Sequence, residues 1–191
     1  FEMVGQLSTE VKEGRERVRT ALHSVGVMLP AKRITINLSP AHIRKNGTGF
    51  DLPIAIAILQ SIGIVDEDSC KNRIFVGELG LNGQILAVNG VLPIISDGVE
   101  QGILEVIVPK ENENEGRLVK QAKVYAFSHL KEVIAFLNGK AYTREANENV
   151  KEVENILQKD FSEVCGQQFL KRACEVATSG MHAMLLVGAP G

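Results

Sequence analysis

The last four residues of the chain, Gly188, Ala189, Pro190 and Gly191, follow the apolar run 184–187, MLLV. A strand that enters a glycine-rich turn is how G-x-x-x-x-G-K-[ST] begins. In that loop backbone N–H groups cradle phosphates, while the Lys and the Ser/Thr serve the γ-phosphate and Mg2+. GAPG matches the first four positions, so the lysine charge and the metal-ligating hydroxyl are not among these residues. Taken alone, such a tetrapeptide is also an ordinary turn after a strand.

A second stretch with chemical potential is 45–63, KNGTGFDLPIAIAILQSIG. Gly47 and Gly49 permit backbone angles or close approaches that a Cβ forbids. Asp51 reads as an N-cap, and Pro53 is tolerated in the first helical turn. The spacing predicts a helix over 52–61 with almost no polar face, buried on most sides and too short to span a bilayer. Free N–H groups at its start suit an anion, although a tight turn into a core helix explains the same residues. Other reactive side chains are dispersed. His23, His42, His129 and His182 lack metal-ligand spacing, so no metal site is expected. Cys70, Cys165 and Cys174 form no CxxC pair and fit a reducing cytoplasm better than a disulfide framework.

The elements that must position these groups alternate between strands and helices. Residues 1–5 read as a strand, Ser8 or Thr9 as the cap of a helix to about Ser24, and 33–38 as a half-buried strand. Residues 73–88 read as a hairpin around Asn82 and Gly83, and 91–101 as a helix ending at Gly102. Residues 105–108 and 124–127 are strands, and 129–137 a closing helix. This pattern gives a mixed α/β sheet domain. Residues 139–159 turn polar and read as a linker with one helical piece. Residues 160–191 open a second module, with a helix at 167–179 and a buried strand at 184–187. The formal charge of −2 offers no electrostatic argument for nucleic-acid binding by this chain, and no transmembrane span is visible.

Three segments, KNGTGFDLPIAIAIL, VGELGLNGQILAVNGVLPI and ILEVIVPKEN, together resemble the Lon-type domain of the ComM/YifB family of Mg-chelatase-like AAA+ ATPases. More distantly they resemble the proteolytic domain of Lon and the C-terminal domain of RadA. DFSEVCGQ at 160–167 is similar to the family's box before the first ATPase helix, which makes GAPG the opening of a P-loop.

The resemblance implies a Lon-protease-like, ribosomal-S5-type domain over 1–138 that begins inside its first sheet. It further implies a linker over 139–159 and the start of an AAA+ domain over 160–191. Gly188 to Gly191 would then touch phosphate, and Val164 and Gly166 would lie near adenine. For the whole protein it implies ATP and Mg2+ as cofactors, a homo-hexamer, and cytoplasmic work on DNA such as helicase action or branch migration in transformation. The alternative is a noncatalytic interaction or oligomerisation domain of an AAA+ protein that does not act on DNA. Lon-type peptidases use a Ser–Lys dyad. Laid on this sequence, the Ser position falls on Gly49 and the Lys position on Leu92, with Thr48 the neighbouring hydroxyl. No peptidase activity is expected, and none as an ATPase from this stretch alone.

Overall fold

In the computed structural model, residues 1–142 and 164–188 are described. Two compact units divide the chain, 1–146 and 147–191.

The first unit begins with β1 (Glu2–Val4) and α1 (Thr9–Ser24). Ser8 caps α1, its Oγ accepting the Val11 N–H at 3.5 Å. Val11, Val18, Ala21 and Leu22 recur at helical spacing and are buried. That stripe packs against α2 (Asp51–Ser61), in which Leu52, Ile54, Ala55, Ile56, Ile58 and Leu59 are buried and Ala57 alone of the apolar run is exposed. Each fully buried Leu or Ile contributes about 1.5–3 kcal/mol through apolar area removed from water. Gly63, at φ +76°, turns the chain out of the helix.

β2 (Thr35–Asn37) pairs parallel with β1. After a short α3 (Glu67–Cys70), β3 (Arg73–Phe75), β6 (Glu105–Pro109) and β7 (Lys123–Phe127) form a parallel sheet with β6 central. β4 (Glu78–Leu79) and β5 (Ile85–Leu86) pair antiparallel. The expected hairpin over 73–88 is therefore confined to 78–86. Arg73, Ile74 and Phe75 pair instead with Glu105, Val106 and Ile107, because β6 offers a long apolar partner. The chain leaves that sheet at Gly77, where a Cβ would lie 3.0 Å from Ile85 Cγ2.

α4 (Val91–Glu100) follows the left-handed Gly90, and a 3-10 turn (Lys110–Asn112) leads into α5 (Glu113–Gly116). α6 (Leu130–Leu137) closes the unit. His129 caps it through Nδ1, which accepts the Lys131 N–H, while Glu132 accepts the His129 N–H.

In the second unit, α7 (Gln168–Ser179) matches the expected helix and buries Cys174. The buried strand expected at 184–187 is not formed. Leu185 and Val187 are 86% and 88% exposed, and no β-pairing involves these residues. An apolar run becomes a buried strand only where neighbouring strands take its backbone groups, and none does so among the described residues. The linker expected at 139–159 lies mostly outside the described residues.

Candidate functional site

The glycine turn before α2 is the position that the Lon resemblance marks for a nucleophile. Gly47 sits at φ +81°, a conformation that favours glycine. Gly49 is constrained differently, since a Cβ there would come within 3.2 Å of the Val76 Cγ2 methyl and press on that side chain. The Gly49 carbonyl accepts the Gly77 N–H at 3.1 Å, and the Gly77 carbonyl accepts the Leu52 N–H at 3.0 Å. Thr48 accepts the Asp51 N–H through its backbone carbonyl at 3.2 Å. The turn is thus stitched to the β3–β4 junction by its own backbone.

Asp51 is the side chain around which this region is organised, and not in the role that the sequence suggests. It is the first residue of α2, Phe50 holds the N-cap position, and no side chain caps the helix. The Asp51 carboxylate, 2% exposed, instead accepts from Arg17 Nε at 2.6 Å, Arg17 Nη2 at 3.1 Å and the Leu79 N–H at 3.2 Å. One carboxylate therefore joins α1, α2 and β4. A cap bond would satisfy one amide of its own helix, whereas this geometry neutralises a charge and satisfies a buried amide of another element.

Burial pushes the Asp51 carboxyl above its ordinary range, with Arg17 and the Leu79 amide opposing that rise. The hydrogen bond to Asp51 raises Arg17. Gly14 makes the room, since a Cβ there would stand 2.5 Å from Asp51 Oδ1. A glycine in the middle of an otherwise good helix was the signal in the sequence for such a close approach.

The position marked for the dyad lysine is held by a second polar clamp. Leu92, half-buried at the start of α4, donates its N–H to Glu115 Oε1 at 3.0 Å. Asn112 Oδ1 accepts the Val88 N–H at 3.0 Å, and Asn112 Nδ2 donates to the Val88 carbonyl at 2.9 Å and to Glu115 Oε2 at 2.9 Å. A Cβ at Gly49 would lie 3.9 Å from Val88 Cγ2, so the two marked places belong to one neighbourhood. What the fold brings there is backbone, hydrocarbon and an amide–carboxylate clamp that fixes the loop, with glycine at the marked serine position and leucine at the marked lysine position. Beside it, Glu113 is 1% exposed and pairs with Lys110 and Arg117. Burial raises its carboxyl, and the two cations outweigh that and hold it below the usual range.

Of the residues marked for nucleotide, Val164, Gly166 and Gly188 are described, while Ala189, Pro190 and Gly191 lie outside the described residues. Gly166 is left-handed at φ +69°, and Val164 is 39% exposed. Gly188 supplies one backbone amide and no side chain, so these residues alone hold neither a phosphate charge nor a metal. No helix among the described residues is long and apolar enough to cross a membrane.

Comparison with known proteins follows the same division. Residues 1–112 match the family model for subunit ChlI of Mg-chelatase, and residues 160–191 match the model for magnesium chelatase, subunit ChlI. The chain is 42% identical to Competence protein ComM of Haemophilus influenzae, an alignment covering 100% of this chain and 38% of that protein. It is 40% identical to the uncharacterized protein YifB of Escherichia coli, covering 99% of this chain and 37% of that protein. More distant similarity reaches the DNA repair protein RadA of Streptococcus pneumoniae, at 30% over 50% of the chain and 22% of that protein. It also reaches a Lon protease of Lawsonia intracellularis, at 27% over 69% of the chain and 17% of that protein. With its parallel and antiparallel pairings, the first unit is a mixed α/β fold consistent with a Lon-like domain.

Proposed function

Because the chain belongs to the ChlI family of Mg-chelatase-like proteins, in the ComM/YifB group, we propose that it is part of an ATP-driven AAA+ motor acting on DNA. The observation that carries this reading is the 42% identity along the whole chain to a competence protein. The similarity to a DNA repair protein points the same way. This chain spans 38% of its competence relative, so the activity belongs to the longer protein.

In this reading residues 1–138 form a Lon-like domain, 139–159 a linker, and 160–191 the entry to the ATPase module. Gly188 to Gly191 form the start of the phosphate loop, and Val164 and Gly166 border the adenine. When bound, Mg·ATP supplies the free energy of phosphoryl transfer, for which the G-K-[ST] half of the loop is needed. The motor assembles as a homo-hexamer in the cytoplasm and drives helicase action or branch migration of DNA during transformation. The Lon-like domain contributes architecture without peptide hydrolysis, since Gly49 and Leu92 occupy the dyad positions and the Asn112–Glu115 clamp fills their surroundings.

The test is DNA-stimulated ATP hydrolysis and branch migration by the full-length protein. Stimulated turnover with movement of a branched substrate supports the motor. ATP hydrolysis indifferent to every DNA structure tried favours the alternative, an interaction or oligomerisation domain on an AAA+ protein with another target. A continuation after Gly191 other than x-G-K-[ST], with x any residue, removes the ATPase altogether.

A further inference from the structure

The sequence contains four Asn-Gly dipeptides, at 46–47, 82–83, 89–90 and 138–139. All four glycines adopt left-handed φ, from +80° to +91°. Asn-Gly is the dipeptide most open to spontaneous deamidation, because no Cβ hinders the glycine nitrogen from reaching the asparagine side chain. The four are nevertheless not equivalent in this fold.

Two of them are locked. Gly83 N–H donates to the Gly80 carbonyl at 2.9 Å, and Asn82 Oδ1 accepts the Gln84 N–H at 3.1 Å. Gly139 N–H donates to the Phe136 carbonyl at 3.0 Å, and Asn138 Nδ2 donates to the Ile64 carbonyl at 3.0 Å. In each pair both the attacking nitrogen and the side-chain amide are engaged.

The other two are open. Asn46, Gly47, Asn89 and Gly90 are all exposed, and no hydrogen bond to either glycine N–H or either asparagine side chain occurs among the described residues. No atom stands within 4 Å of where a Cβ would be at Gly47 or Gly90, apart from chain neighbours.

We infer that Asn46 and Asn89 are sites of spontaneous isoaspartate formation in the folded chain. The Gly47 or Gly90 nitrogen loses its proton to base and attacks the asparagine Cγ. The N–Cγ bond forms, the Cγ–Nδ2 bond breaks, and ammonia leaves. Water then opens the succinimide at either carbonyl, giving aspartate or isoaspartate with no redox change. Conversion at Asn89 places a carboxylate, and in the isoaspartyl product one extra backbone carbon, between the clamped Val88 and the start of α4. Conversion at Asn46 does the same between the buried Lys45 and the turn before α2. Both lesions strike the two loops that meet around Gly49 and Val88.

The test is incubation of the 191-residue chain in mildly alkaline buffer, with peptide-resolved mass spectrometry and labelling by an isoaspartyl methyltransferase. A parallel sample is held unfolded in urea. Asn46 and Asn89 are expected to convert at least about fivefold faster than Asn82 and Asn138 when folded, since each locked pair must first give up its hydrogen bonds. In urea the four rates converge. Asn46→Gln and Asn89→Gln remove the methyltransferase signal from their own peptides. Any other ranking in the folded chain, or a folded pattern equal to the unfolded one, overturns the inference.

Discussion

Removing either partner of the Asp51–Arg17 pair is expected to be costly, and unequally so. In Asp51→Ala the Leu79 N–H, buried in a residue with no exposed area, loses its acceptor. An orphaned buried amide costs about 1–3 kcal/mol. Arg17, 19% exposed, can turn part of its charge to water, so the total stays near 3 kcal/mol, at the low end of the range for broken buried pairs. In Arg17→Met the stranded group is a carboxylate only 2% exposed, and about 4–5 kcal/mol is expected.

The pH dependence carries the sign. Without Arg17, burial of Asp51 is unopposed by its main cation and its folded pKa rises further above the unfolded value. A group with a raised folded pKa contributes stability that is present below the unfolded pKa and lost as pH rises through the folded one. The Arg17→Met deficit should therefore shrink as pH falls toward the carboxylate range, about 4. The Asp51→Ala deficit should not.

Urea titration followed by tyrosine fluorescence reads this, because Tyr125 and Tyr142, the chain's two tyrosines, both lie in the first unit. A loss below about 1 kcal/mol for Asp51→Ala, the scale of an ordinary N-cap, would refute the cross-link and restore the cap. So would an Arg17→Met deficit that does not change with pH.

Gly14→Ala should destabilise the first unit even though Ala favours helix by about 1 kcal/mol, because its Cβ would meet Asp51 Oδ1 at 2.5 Å; a raised urea midpoint would show that the pair relaxes freely. Asn112→Ala removes both bonds to the Val88 backbone and is expected to cost about 1–3 kcal/mol, read by the same titration and by faster hydrogen exchange at Val88. Glu113→Gln should weaken the fold at neutral pH. Its depressed carboxyl contributes stability that is lost as pH falls through the folded pKa, so variant and parent should converge in acid. The double change Gly49→Ser with Leu92→Lys should leave casein uncut, since the Ser Cβ meets Val76 and the surroundings of residue 92 are built from Asn112 and Glu115; casein hydrolysis would overturn the architectural reading of this turn.

Local periodicity determined most of the elements. A cap of α1 at Ser8 or Thr9, the apolar run of α2, the strands around Val106 and Val124, and α7 follow from patterns that act over a few residues, and the structure selects Ser8. The glycine turn was legible too, because Gly47 takes a left-handed φ that favours glycine, whereas the constraint at Gly49 comes from the Val76 side chain.

The tertiary structure decided whatever depends on partners distant in the chain. Arg73 to Phe75 has the pattern of a strand, but only the proximity of Glu105 to Ile107 sends it to the parallel sheet and not to the hairpin. Residues 184–187 have the pattern of a buried strand, and with no neighbouring strand among the described residues to take their backbone groups they are exposed. Asp51 looks like a cap to any local rule. Arg17 lies 34 residues before it and Leu79 28 residues after, and those two groups are what make it a cross-link. Short-range rules price a side chain against its own helix, whereas a buried charge takes whichever partners the fold delivers.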